Sequence, residues 1–182
     1  MTQAVDILIV GGGLIGMALA NALKPSGHKV LLVDARDMSA PMATKARLDT
    51  RSIALSPASF RILKRLNCWH ALAPHANPIE TIHISEQGRF GQAKLYRDNL
   101  YEPLGVVAPI ERLYHTLRAG LEAQNILSPA KLTALDAAAG LASLTCASGT
   151  QTIEAKWVVA ADGTNSFVRK LCGLHAAEKN YQ

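Results

Sequence analysis

The stretch that decides the fold is VDILIVGGGLIGMALANAL, residues 5–23, together with VLLVD, residues 30–34. An apolar run leads into a glycine-rich turn, a helical run follows the turn, and a second apolar run ends in an acid. Apolar runs of four to six residues beside glycine turns are typical of buried parallel strands. The stretch therefore predicts a βαβ unit and an α/β fold built on a parallel sheet.

The three spaced glycines of this turn form the G-x-G-x-x-G pattern of a Rossmann-like dinucleotide site. Gly11 allows the sharp turn, Gly13 leaves room for a pyrophosphate, and Gly16 lets the helix pack closely on the strand. The helix N-terminus offers free N–H groups and a partial positive charge to phosphates. The alternative is a glycine turn that serves packing alone, and the motif does not separate FAD from NAD.

Asp34 ends the second apolar run, close to the spacing of about 20 residues at which such sites place an acid. A carboxylate in this position can accept hydrogen bonds from both ribose hydroxyls of an adenosine. It would repel the 2′-phosphate of NADP. The sequence therefore disfavours NADP at this site.

Composition indicates an ordinary globular chain. Its 182 residues are 49% hydrophobic, which is enough for one sizeable core. The net charge is +5, but the Lys and Arg residues are scattered, so no nucleic-acid partner is expected. The basic surface is either a solvated face or one that attracts an anionic membrane or cofactor.

Cysteine usage and hydropathy predict a compartment. Three widely spaced cysteines, Cys68, Cys146 and Cys172, argue against a disulfide framework and for a reducing environment. The sequence has no C-x-x-C motif or histidine cluster, so no metal is expected. It also has no signal-peptide pattern and no apolar run of the roughly 20 residues that a membrane span needs. We expect a cytoplasmic protein, or one peripheral to a membrane.

The rest of the chain predicts helices, a hairpin and a meander. Helices are predicted over residues 14–24, 57–67 and 110–123, with a short one ending at Gly173. Strands are predicted over residues 79–85 and 92–97 as a hairpin, and over 105–108. A three-stranded antiparallel meander is predicted over residues 130–137, 141–147 and 150–155. A further strand, residues 156–161, is expected to be buried and to return to the parallel sheet beside the first strand.

A second motif follows that last strand. An Asp-Gly at the carboxyl end of a parallel strand lies where open α/β sheets bind ligands. The alternative is an ordinary turn and helix N-cap. The residues match Asp-Gly-x-x-Ser-x-x-Arg, the second signature of the class A FAD-dependent aromatic monooxygenases, at Asp162, Gly163, Ser166 and Arg169. Together with the glycine motif, this makes the chain resemble that family.

Three weaker segments narrow the resemblance. DTRSIAL, residues 49–55, resembles the Asp-x-Arg-x-x-Ala-Leu segment of the ubiquinone-biosynthesis hydroxylases. TIHISEQG, residues 81–88, and residues 171–181 resemble one branch, the 2-octaprenyl-6-methoxyphenol hydroxylases. The resemblance covers essentially the whole chain. It implies the FAD-binding fold of this family, with the hairpin as part of a substrate domain.

The resemblance also implies a function. An oxidoreductase of this family uses FAD as cofactor and NAD(P)H as co-substrate to hydroxylate a polyprenylated phenol with O2. A lipid-tailed substrate implies a peripheral position on the inner membrane or membership of a ubiquinone-biosynthesis complex. No catalytic acid, base or nucleophile is expected, because the cofactor supplies the chemistry. The alternatives are another FAD or NAD oxidoreductase that inserts no oxygen, and a non-catalytic dinucleotide-binding chain.

The motifs and the resemblance together predict the cofactor-binding residues. The pyrophosphate is expected at the glycine turn, and the adenosine ribose at Asp34. Arg51 is expected to face the flavin side of the cofactor; the alternative is that Arg51 is an ordinary surface arginine. Asp162 is expected to reach the cofactor only through water or its backbone. The full set is Gly11, Gly13, Leu14, Ile15, Gly16, Asp34, Ala35, Arg36, Arg51, Arg112, Asp162 and Gly163.

Length is the main departure from the family, whose enzymes are roughly twice as long. Their third signature, a Gly-Asp that contacts the ribityl chain and flavin, comes after the point that residue 182 reaches. We therefore expect residues 1–182 to be an incomplete FAD-binding domain, with residues 74–104 as a partial substrate-domain insertion. We also expect the 182 residues alone to bind FAD weakly and to show no turnover.

Overall fold

A computed structural model describes residues 2–39, 51–97, 102–177 and 179. Predictions that fall on Asp49, Thr50 and Tyr181 lie outside the described residues. The strands are β1 Thr2–Val10, β2 Val30–Val33, β3 Ser52–Leu55, β4 Asn77–Pro78, β5 Thr81–Ser85, β6 Gln92–Tyr96, β7 Val106–Pro109, β8 Ile126–Leu127, β9 Ala130–Asp136, β10 Leu141–Cys146 and β11 Gly149–Ala160. The α-helices are α1 Leu14–Leu23, α2 Pro57–Arg65, α3 Trp69–Leu72, α4 Ile110–Ala119 and α5 Phe167–Leu171.

The chain forms two compact units. The first comprises Met1–Thr44 and Leu121–Gln182, and the second comprises Lys45–Gly120. The first unit contains a six-stranded sheet in the order β8-β2-β1-β11-β10-β9. Strands β8, β2, β1 and β11 are parallel, whereas β10 and β9 complete an antiparallel meander with β11. The predicted α/β fold with a parallel sheet and a three-stranded meander is confirmed.

The βαβ unit forms as the sequence predicts. Strand β1 pairs in parallel with β2, with Ile7 opposite Val30 and Val10 opposite Val33. Helix α1 connects them and contacts both strands. A 3₁₀ turn at Lys24–Ser26 and Gly27 with a φ of +74° then end the helical segment. This arrangement places the glycine turn and Asp34 at the same, carboxyl edge of the parallel sheet.

The predicted boundary between the third meander strand and the strand that returns to the parallel sheet is wrong, and so is the predicted end of the helix at residue 123, since α4 ends at Ala119. The third meander strand and the strand returning to the parallel sheet are a single strand of 12 residues, β11. Its first part pairs antiparallel with β10, while it pairs in parallel with β1 from Thr152 to Ala160. No glycine or proline interrupts residues 150–160, so nothing breaks the strand. The expected burial of its end is also wrong, since Trp157 is 72% exposed.

The core of the first unit lies against the sheet. Its fully buried members include Leu8, Leu144 and Ile153, and each such side chain contributes about 1.5–3 kcal/mol relative to an exposed one. Strands β1 and β2, the meander strands and α5 supply the rest of this cluster, among them Leu31, Leu132 and Val168. The core therefore holds β1, β2, β9 and β11 together around the edge that carries both glycine motifs.

The second unit contains two antiparallel sheets. One has the order β3-β7-β4, and the other is the predicted hairpin of β5 and β6, with Thr81 opposite Tyr96. Helix α2 begins as predicted: Pro57 is at its first position and the Ser56 hydroxyl accepts a hydrogen bond from Ser59 N at 3.2 Å. The two-residue strands β4 and β8 were not predicted, because two residues show no periodicity.

Candidate cofactor site

Gly11 and Gly16 allow the turn between β1 and α1 to approach β11 closely. Gly11 has a φ of +114°, and a Cβ on it would overlap the carbonyl oxygen of Ala161. A Cβ on Gly16 would overlap the carbonyl oxygen of Gly11 and would lie 3.3 Å from the Cβ of Ala161. Both glycines are therefore required by backbone packing at this edge.

Gly13 is in a different environment. A Cβ placed on it would have no heavy atom within 4 Å. Gly13 is the N-cap of α1, and no side chain among the described residues caps that helix end. The first N–H groups of α1 and its positive dipole end therefore adjoin open space, which is the arrangement that binds phosphate groups. These features fit the pyrophosphate of FAD.

The Asp34 carboxylate has four hydrogen-bond donors around it. Oδ2 accepts from Gly12 N at 2.6 Å and from Arg36 Nη2 at 3.0 Å. Oδ1 accepts from Arg36 N at 2.7 Å and from Arg36 Nε at 3.0 Å. The Asp34 side chain is 8% exposed, whereas that of Arg36 is 65% exposed.

Burial and hydrogen bonding act in opposite directions on Asp34. Burial raises the pKa of this carboxyl, because it disfavours the charged form. The hydrogen bonds from Arg36 and Gly12 outweigh burial and hold the pKa below its usual range. Asp34 is therefore ionised at neutral pH and can act as an acceptor.

A cleft of about 490 Å³ joins these features. Seven predicted site residues line it: Gly11, Gly13, Asp34, Ala35, Arg36, Asp162 and Gly163. The predicted residues Leu14, Ile15 and Gly16 follow directly at the N-terminus of α1. Arg51 and Arg112 belong to the second unit, where Arg51 O accepts a hydrogen bond from Ile110 N at 3.1 Å.

The cleft also has residues that the sequence analysis missed. The start of β9 lies against the end of β2, because Ala130 N donates to Asp34 O at 2.8 Å. This contact brings Ala130, Lys131 and Leu132 into the wall, and Phe167 at the start of α5 completes it. No local motif marks these positions. Only the pairing of β8 with β2, which was not predicted, could have indicated them.

The Asp162 carboxylate accepts hydrogen bonds from residues at the N-terminus of α5. Oδ2 accepts from Phe167 N at 2.6 Å and from Val168 N at 3.1 Å, and Oδ1 accepts from the Ser166 hydroxyl. Burial raises the pKa of Asp162, but these hydrogen bonds outweigh it and hold the pKa below its usual range. The side chain therefore serves the N-terminus of α5, and its contribution to the cleft is its position between Ala161 and Gly163.

Asp162→Ala is expected to lower the free energy of unfolding of the first unit by about 1–2 kcal/mol, because three donors lose their acceptor. The folded-state pKa is depressed, so this contribution is present above the unfolded pKa and is lost as the pH falls through the folded pKa. Urea unfolding at pH 7 and at about pH 3 measures it. The gap between wild type and variant should shrink at the lower pH, and an equal gap at both would contradict this.

Within the described ranges, no group of three or more His, Cys, Asp or Glu side chains could hold a metal ion. None of the helices described is both long and apolar enough to cross a membrane.

Similarity to known proteins agrees with this geometry. A family model described as "FAD binding domain" matches residues 4–182. The chain is 34% identical over 175 residues to the ubiquinone hydroxylase UbiL of Rhodospirillum rubrum, which covers 94% of this chain and 40% of that protein. It is 33% identical to the 3-demethoxyubiquinol 3-hydroxylase of Escherichia coli K12, covering 94% of this chain and 44% of that protein. The chain thus spans less than half the length of these relatives.

Solved structures show the same fold. OxyS anhydrotetracycline hydroxylase from Streptomyces rimosus superposes with a TM-score of 0.79 at 20% identity, covering 98% of this chain and 36% of that one. The p-nitrophenol 4-monooxygenase PnpA from Pseudomonas putida DLL-E4 superposes with a TM-score of 0.74 at 19% identity, covering 94% and 44%. The family match over residues 4–182 includes the residues of the cleft and of its glycine turn, so an FAD-binding domain accounts for both. The chain belongs to this FAD-binding domain family, and FAD is the cofactor of the family.

Proposed function

We propose that the cleft of the first unit holds FAD by its ADP portion. The pyrophosphate lies at Gly13 and the uncapped N-terminus of α1, where N–H groups of Leu14 and Ile15 face it. The adenosine ribose lies at Asp34. The observation that carries this proposal is that one cleft joins an open helix N-terminus to an ionised, buried carboxylate. The remaining predicted contacts, Ala35 and Gly163, line the same cleft.

At the level of the whole protein, we propose an FAD-dependent monooxygenase that hydroxylates a polyprenylated phenol in ubiquinone biosynthesis. Support comes from the relatives named above, a ubiquinone hydroxylase and a 3-demethoxyubiquinol hydroxylase. FAD, when bound, supplies the redox chemistry between NAD(P)H, O2 and the phenol. The residues of this chain bind and orient the cofactor. We propose a cytoplasmic location, with peripheral association at the inner membrane and a ubiquinone-biosynthesis complex as partner.

Two further assignments belong to this proposal. Residues 74–104 form part of a substrate-domain insertion, and Arg51 and Arg112 are FAD-binding residues. The basic guanidinium of Arg51 suits the double negative charge of the pyrophosphate. We propose that residues 1–182 by themselves bind FAD without turnover, since the Gly-Asp segment that the resemblance assigns to the flavin is not among them.

The first test is an absorbance spectrum of the purified chain after incubation with FAD and desalting. Retained flavin bands at about 370 and 450 nm support the FAD site. A folded but colourless protein that shows no binding in equilibrium titration with FAD contradicts it. A protein that retains NAD instead contradicts the monooxygenase assignment.

The second test addresses the reaction. The FAD-loaded chain and its full-length relative from Rhodospirillum rubrum are incubated in parallel with NADH or NADPH, O2 and a short-chain prenylated phenol. A product one oxygen atom heavier from the relative alone supports binding without turnover by residues 1–182. Hydroxylated product from the chain contradicts that part. Flavin oxidation without hydroxylated product from either protein favours an oxidoreductase that inserts no oxygen.

A further inference from the structure

The Asp34 carboxylate has no acceptor position left for a ribose. An ionised carboxylate offers about four lone-pair positions. All four hydrogen bonds that reach Asp34 come from the chain itself: two donors are the backbone N–H groups of Gly12 and Arg36, and two are the Nε–H and Nη2–H of the one Arg36 guanidinium. A ribose that donates two hydroxyls to Asp34 must therefore replace two of these donors.

Only the guanidinium can leave. The Gly12 N–H is fixed by the turn, since Gly11 N donates to Val33 O at 2.7 Å and a Cβ on Gly12 would overlap the Met38 sulfur. The Arg36 side chain, in contrast, is 65% exposed and lines the cleft. An exposed side chain can change rotamer without any change of the backbone, whereas the turn cannot move without disturbing β2.

We propose that Arg36 is an internal competitor of the cofactor: its guanidinium occupies the ribose position on Asp34 and must swing away when FAD binds. This inference rests on the proposed FAD site. The exchange is one for one, because two guanidinium N–H donors leave and two ribose hydroxyls of the unsubstituted diol arrive. Arg36 therefore lowers the affinity of the site for FAD, because its guanidinium fills the acceptor positions of Asp34 while no cofactor is bound.

The loss of positive charge in an Arg36 variant also changes FAD binding, and Lys131 in the same cleft provides a matched control for this effect. Removing Arg36 also removes a positive charge near a ligand that carries two negative phosphates, and this alone weakens binding. Lys131 lines the cleft too, but it makes none of the hydrogen bonds to Asp34 described above. Lys131→Met removes a similar charge without freeing the carboxylate. The comparison of the two variants separates competition from charge.

Equilibrium titration with FAD then tests the proposal on the 182-residue chain. Arg36→Met is expected to bind FAD about fivefold more tightly than wild type, which is the scale of a partly exposed ion pair. Lys131→Met is expected to bind more weakly than wild type. The tightening by Arg36→Met should disappear in an Asp34→Asn background, because the competition exists only while the carboxylate is present.

The NMR signal of the Arg36 Nε–H gives a second readout. In wild type, FAD should shift this signal from its carboxylate-bonded position toward that of a solvated guanidinium, while the Gly12 amide stays hydrogen-bonded. Wild type that binds FAD with an unmoved Arg36 signal, or an Arg36→Met that binds equally or more weakly, overturns the inference and leaves the FAD site standing. Absence of FAD binding by wild type and by Arg36→Met overturns the proposed site and the inference with it.

Discussion

Gly11→Ala is expected to destabilise the first unit by about 3–5 kcal/mol, a large fraction of the stability of a typical domain. Two causes combine. The φ of +114° lies in a region that L side chains rarely adopt, and the new Cβ would overlap the backbone of Ala161 at the end of β11. Because backbone rather than a side-chain tip is the obstacle, the strand itself would have to move. Urea unfolding followed by far-UV circular dichroism measures the loss.

Gly13→Ala is the matched control for this prediction. The same methyl group meets nothing within 4 Å there, and the residue has an ordinary φ of −76°. We expect a stability loss of about 1 kcal/mol, from the poorer N-cap. FAD binding should nevertheless fall more than tenfold, since the methyl lies where the pyrophosphate is proposed. A Gly13→Ala that binds FAD normally, or a Gly11→Ala as stable as wild type, would count against this division of roles.

The parts of the fold that sequence predicts are those with a local pattern. The glycine turn, the N-cap of α2 and the β5–β6 hairpin each combine periodicity with turn chemistry over a few residues. The element that the sequence analysis misplaced, strand β11, depends on pairing between strands that are far apart in the sequence. Strand β11 is continuous because β1 lies along it, and no feature of residues 149–160 alone shows that it joins two kinds of sheet.

The residues of the candidate site also fall into two groups: those that a local motif predicts and those that only the fold brings to the cleft. Motif spacing anticipates the three glycines and Asp34, since the βαβ unit brings a turn and a strand end to one edge. Lys131 and Phe167 enter the cleft through the positions of β9 and α5, which no spacing rule gives. The occupation of Asp34 by Arg36 depends on a rotamer, and the sequence shows only that an arginine follows two residues later. The motif thus predicts an acceptor but not whether that acceptor is free.

Asp34→Asn is expected to weaken FAD binding by about 100-fold, or about 2.7 kcal/mol. The asparagine has one oxygen and one NH2 group, so it cannot accept from Gly12 N and also from both ribose hydroxyls. Its NH2 group would face a backbone donor instead of an acceptor, which also costs about 1–3 kcal/mol of folding stability. Equilibrium titration with FAD and urea unfolding measure the two effects separately.

The control for Asp34→Asn is Asp37→Asn, which removes the same charge three residues along the chain. The Asp37 carboxylate accepts from Ser39 N at 2.8 Å and does not line the cleft, so its loss should leave FAD binding nearly unchanged. The pH dependence of FAD affinity in the wild type gives a further test, which is independent of the charge-removing variants. The pKa of Asp34 is held below its usual range, so wild-type affinity for FAD should stay flat from about pH 8 to about pH 5. An affinity that already falls between about pH 6 and about pH 5 would contradict control of FAD binding by an Asp34 carboxylate with a lowered pKa.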